Sequence, residues 1–156
     1  MLSHLNNNDY SDHPLSHPTN IQILYSTKLP KSEHEHEHEH DGEKSLDQIL
    51  FLSRLRHIAQ SQCQSHRLRI GLDLFVTDLP ADSSLRSASP VDLAVHPRRI
   101  NKSDLEVAVR GADGSVKADE TVCYLCGPPW MTDELGGVVR SLLGDGQNRV
   151  FFEKWW

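Results

Sequence analysis

Thr121, Val122, Cys123, Tyr124, Leu125, Cys126, Gly127, Pro128, Pro129, Trp130 and Met131 form the stretch whose reading decides the fold. An apolar, β-rich run stops at a Cys-Gly-Pro-Pro turn, and a helical pattern takes over. Thr132 to Leu143 carries Leu135, Val138, Val139 and Leu142 on one face and leaves through Gly144 to Gly146. Val150 to Phe152 then reads as a further strand, ahead of Glu153, Lys154, Trp155 and Trp156. Strand, helix and strand in that order make a βαβ unit, whose two strands must run parallel. Its first strand delivers the Cys126 thiol and the bare backbone of Gly127 to the carboxyl edge of a sheet, where open α/β folds bind nucleotides.

The alternation extends upstream. Ile21 to Ser26 is a short β-rich run suited to a buried strand, and it ends in a turn at Pro30. Residues 31–44 are polar, with four Glu/His alternations and no apolar residue, so they cannot join a core and are expected as a disordered insertion. Ser45 and Gln48 stand as a capping box, and Leu46, Ile49, Leu50, Leu52, Leu55, Ile58 and Ala59 recur at helical spacing over about four turns. Ile70, Leu72, Leu74 and Val76 alternate with Gly71, Asp73, Phe75 and Thr77, predicting a strand with one apolar and one mixed face, closed by Asp78 and Pro80. Residues 81–99 are rich in Ser, Pro and Asp and are expected as a flexible loop. Asn101 and Ser103 are candidate N-caps of a short helix through Val109, closed by Gly111. The class is α/β, a parallel sheet with helices on both faces.

Composition bounds the function. The 156 residues suffice for one domain and one core. A formal charge of -6 supplies no basic face for nucleic acid, and no apolar run approaches the ~20 residues of a membrane span. Three cysteines, an odd number, make no disulfide framework and favour a reducing compartment. Met1 to Tyr10 shows no targeting pattern. The expectation is a soluble intracellular protein, cytoplasmic or mitochondrial.

Two readings fit Cys126 on spacing alone: a strand-end cysteine before a helix, or a polarizable sulfur placed beside a reactive ring while Gly127 and Pro128 let the backbone come close to it. Cys-Gly-Pro-Pro-x-Met, from Cys126 to Met131, resembles the signature of ferredoxin reductase-like flavoenzymes, notably the branch containing cytochrome b5 reductase. The terminal Phe152 to Trp156 narrows the resemblance within that family, and Ile23 to Ser26, Ile49 to Phe51 and Leu74 to Asp78 further upstream resemble the family's second strand, following helix and third strand. The resemblance implies a three-layer nucleotide-binding domain and hydride transfer between NADH and FAD, with NADPH as the other candidate donor. It puts Cys126, Gly127, Pro128, Pro129 and Met131 at the nicotinamide, and Ser26, Thr77 and Asp78 on the adenosine side. Glu153, Trp155 and Trp156 fall against the flavin.

The resemblance also implies a first strand with a Gly-rich turn and a flavin-binding β-barrel, and neither is found in these residues. Met1 to Leu5 resembles the helix that follows that turn. The chain is therefore expected to be a partial NAD(P)-binding domain, inactive alone, whose partner is a flavin-binding domain in cis or in trans.

Other signals carry two readings each. Asp78 is either a turn aspartate or an acceptor for both ribose hydroxyls that favours NADH, while Lys28, Arg98 and Arg99 could serve a phosphate. In an extended conformation His34, His36, His38 and His40 share one side and could bind zinc, nickel or copper; otherwise the tract is low-complexity expansion. Metal binding on a non-enzymatic scaffold is thus the rival function. Cys123 and Cys126 match C-x-x-C, but three positions apart on a strand they face opposite ways, and no second pair completes a zinc site.

Overall fold

The computed structural model describes residues 19–29, 46–62, 68–79, 83, 93–110, 114, 115 and 117–155. The His/Glu tract, the segment Met1 to Leu5, Ser45 and Trp156 lie outside them, as does most of 81–99. The described elements are β1 (Thr19–Thr27), α1 (Leu52–Gln62), β2 (Leu68–Val76), β3 (Ala94–His96), α2 (Lys102–Val109), β4 (Cys123–Gly127), α3 (Pro129–Leu143), a 3-10 turn (Gly144–Arg149) and β5 (Val150–Lys154). The α/β class is as expected.

The strands form a three-stranded sheet in the order β1-β2-β3 and a separate pair, β4-β5. This departs from the single expected sheet. β1 and β4 each use one hydrogen-bonding edge, and no described strand joins the other edge of either. β4 and β5 are parallel, Cys123 opposite Val150 through Gly127 opposite Lys154. β1 and β2 also run the same way: Gln22 bonds Asp73 near their middles and the Thr77 N–H donates to Thr27 O at their ends, so the residue separation hardly changes.

The chain divides into two compact units, one within residues 1–25, 29–74 and 82–95, the other within 26–28, 75–81 and 96–156. In the first, Leu46, Ile49, Leu52, Leu72, Leu74 and Leu93 are buried. The helix expected from Ser45 is interrupted: Leu46 and Asp47 are helical, residues 48–51 turn, and α1 takes over at Leu52. Leu46, Ile49 and Leu52 lie on two successive tight turns, with Ile49 N–H donating to Leu46 O and Leu52 N–H to Ile49 O, both 3.1 Å. Their three-residue spacing suits that geometry, which eclipses positions i and i+3. Phe51 then adopts φ 63°, in the left-handed region, and stops any α-helix from running through it. Leu50, counted on the helix's apolar face by spacing, is exposed, and its carbonyl accepts from the Tyr25 hydroxyl.

The second unit buries Phe75, Val76, Leu79, Leu105, Leu135, Val139, Leu143 and Val150. β2 departs from its expected faces here, since Phe75 is buried as completely as its neighbours. Ala94 to His96, expected as loop, form β3, and His96 stacks on the Phe75 ring with centroids 4.5 Å apart.

Asn101 is the N-cap of α2: its side-chain oxygen accepts from Asp104 N–H at 3.2 Å while Asp104 Oδ2 accepts from Asn101 N–H at 2.8 Å. Arg98 completes the knot with two bonds to the same carboxylate, 2.6 and 2.7 Å. Those bonds hold the Asp104 carboxyl below the usual carboxylate range. Asp104→Ala should cost about 1–2 kcal/mol, a cap's worth plus part of a half-exposed ion pair. Because the folded pKa is depressed, that stability exists above the ordinary carboxylate pKa and is lost as pH falls through the folded one. Urea unfolding of both proteins should therefore show the difference at pH 7 and converge in acid; a constant gap would refute this origin.

Candidate functional site

Alternation along β4 assigns its side chains. Leu125 and Gly127 point toward α3, Tyr124 and Cys126 away from it. Pro129 disfavours helical backbone at Pro128, which stays extended at φ -61° and ψ 150°, so the chain turns sharply and α3 starts three residues before the apolar spacing indicated. The Pro128 carbonyl accepts the Met131 and Thr132 N–H groups, both at 3.1 Å. Thr132, fully buried, donates its hydroxyl to the Pro129 carbonyl at 3.0 Å. Gly127 is buried too, and the Met131 methyl fills the space that a side chain there would need. At the far end Gly144, with φ 51°, releases the chain from α3.

The parallel register puts Cys126 opposite Glu153 and Gly127 opposite Lys154. Trp155 N–H donates to the Gly127 carbonyl at 3.2 Å, carrying the ladder one residue past β5. The Trp155 indole N–H donates to Cys126 Sγ at 3.1 Å, and the Tyr124 hydroxyl donates to Glu153 Oε2. That bond is the main reason the Tyr124 phenol is pushed up to about 12; desolvation and the Glu153 charge add to it. Lys154 pairs with Asp133, just past the first turn of α3, at 2.6 Å. Cys123 is half-buried, which pushes its thiol up, whereas Cys126 is exposed; both are free, so the C-x-x-C spacing serves two faces.

The sequence-predicted residues fall into two groups. Cys126, Gly127, Pro128, Pro129, Met131, Glu153 and Trp155 come together at the carboxyl end of β4 and β5. Half-buried Ser26 and exposed Thr77 and Asp78 stand at the carboxyl ends of β1 and β2, joined by the Thr77 to Thr27 bond. Arg98, weighed as a phosphate ligand, is instead committed to Asp104 and lies 5.3 Å above the Phe75 ring. Arg99 stacks 5.4 Å over half-exposed Trp130. The sequence reading missed Tyr124, although a period of two from Cys126 would have placed it on the same face. No group of three or more His, Cys, Asp or Glu able to hold a metal occurs among the described residues.

No family model and no solved structure matches the chain. Over 41 residues, 26% of the chain, it is 44% identical to the oxidoreductase NAD-binding domain-containing protein 1 of Danio rerio. The match spans 15% of that protein's length. This likeness supports an NAD-binding, oxidoreductase-like domain. Among the described residues no helix is long and apolar enough to cross a membrane.

Proposed function

We propose that the chain is the nicotinamide-binding part of an NAD(P)H-dependent flavin oxidoreductase, with a three-layer nucleotide-binding architecture. The observation that carries this reading is the register of β4 and β5, which brings Cys126, Glu153 and Trp155 to one carboxyl edge directly before α3. Open α/β sheets bind nucleotides at such an edge. The residues fit a nicotinamide in three respects. The exposed Cys126 sulfur is soft and already oriented by an indole N–H. The turn at Gly127 and Pro128 carries little side chain, and Met131, which covers Gly127, can swing aside through three flexible torsions. Pro128 caps α3 without a side-chain acceptor, so no described side chain competes there for the first turn.

Asp78, with Ser26 and Thr77, would hold the adenosine ribose, favouring NADH. Glu153, Trp155 and Trp156 would face the flavin ring. The dinucleotide supplies a hydride, and FAD on a separate flavin-binding domain, in cis or in trans, accepts it.

Titrating NADH into the full chain, followed by tryptophan fluorescence, should give saturable quenching, and the change should grow when a flavin domain is added. Asp78→Asn should weaken NADH about tenfold, the loss of one charge-assisted hydrogen bond. Tight zinc binding with no NADH binding would replace this reading with a metal-binding scaffold built on His34, His36, His38 and His40.

A further inference from the structure

We infer that the face of the β4-β5 pair turned away from α3 selects a planar ring bearing positive charge, so the chain binds the oxidised pyridinium dinucleotide more tightly than the reduced one. The inference rests on the nicotinamide reading and adds a preference for redox state. Alternation and register put Val122, Tyr124 and Cys126 on this face beside Phe151, Glu153 and Trp155. Four of these six are large apolar or aromatic side chains that stay accessible: Val122 61%, Tyr124 49%, Phe151 53% and Trp155 52% exposed. Exposed aromatic faces attract cations through their ring quadrupoles.

The set carries one formal charge, and it is negative. Glu153 gives Oε2 to the Tyr124 hydroxyl, which fixes the carboxylate and leaves Oε1 for a ligand. The neighbouring cation, Lys154, alternates to the other side and is held by Asp133. Trp155 is tethered twice, through its backbone N–H to Gly127 and its indole N–H to Cys126, so its ring stays beside the carboxylate. A pyridinium ring seated on Cys126 therefore meets an anion and aromatic surface together. A dihydropyridine ring in the same place is neutral and gains only the aromatic contact. The two dinucleotides share every other group, so their affinity ratio isolates this term.

One water-exposed charge pair and one exposed cation–π contact together predict about a tenfold preference for the oxidised form. Calorimetric titration of the full chain with NAD+ and with NADH measures it. Glu153→Gln keeps an acceptor for Tyr124 and should bring the two affinities within about twofold of each other. Tyr124→Phe, which retains the charge, should preserve most of the preference. NADH binding as tightly as NAD+, or a ratio untouched by Glu153→Gln, would overturn the inference while the nicotinamide reading stands. If neither dinucleotide binds, both fall.

Discussion

Phe75→Ala should lower stability by about 3–5 kcal/mol, the range for truncating a fully buried aromatic. Phe75 is 1% exposed, at the end of β2. Its ring stacks on His96 with planes 18° apart, and the Arg98 guanidinium lies 5.3 Å from its centroid. Arg98 cannot follow a shrinking side chain, because two bonds fix it to Asp104, and Asp104 is fixed in turn by the α2 capping box. The vacated volume would thus persist as a cavity, and the cation–π contact would go with the ring. Urea unfolding followed by circular dichroism measures the loss. Phe75→Leu, which fills most of the volume, should cost clearly less. A loss under about 1 kcal/mol for the alanine variant would mean that this corner collapses freely, against the geometry described.

Two adjacent glycines in α3 should respond to substitution with opposite signs. A Cβ on Gly136 would stand 2.5 Å from Cε1 and 3.0 Å from Cζ of Phe152, and 3.5 Å from a Leu125 methyl. Phe152 has little room to yield, since Arg140 lies 4.5 Å over its ring. Gly136→Val should therefore cost about 1–3 kcal/mol by overpacking the contact that seats α3 on β4 and β5. A Cβ on Gly137 would meet nothing within 4 Å. Gly137→Ala should stabilise by about 0.5–1 kcal/mol through helix propensity alone. Melting temperatures of the two variants check both signs at once, and equal shifts would refute the packing assigned to Gly136.

The β4-α3-β5 unit was legible because each of its signals is local: apolar runs of strand length, a Pro-Pro turn and an apolar stripe at helical spacing. The register that sets Cys126 against Glu153 was not legible, because how α3 spans and packs between two strands cannot be read from either strand. The face of Tyr124 was legible from the period of two, but its bond to Glu153 was not, the partner being 29 residues away. The break at residues 48–51 was not legible, because spacings of three and of 3.6 residues coincide over two turns from Leu46 through Ile49 to Leu52, and only the backbone at Phe51 separates them. β3 is three residues long beside Pro97, too short for any period to register. Arg98 looked available for a phosphate, since nothing in its sequence neighbourhood announced that Asp104 would take both of its forks.

The tether from Trp155 to Gly127 also bears on how this part of the molecule forms. Closing the β4-β5 ladder requires loops of about 29 residues at most, with α3 already filling most of the span. Parallel pairing is ordinarily slow because distant segments must meet before any contact rewards them. Here the helix shortens the search and brings its own partners, Gly136 for Phe152 and Asp133 for Lys154. Residues 123–155 thus have the locality of an early-folding cooperative unit, whose strand amides should exchange with solvent together.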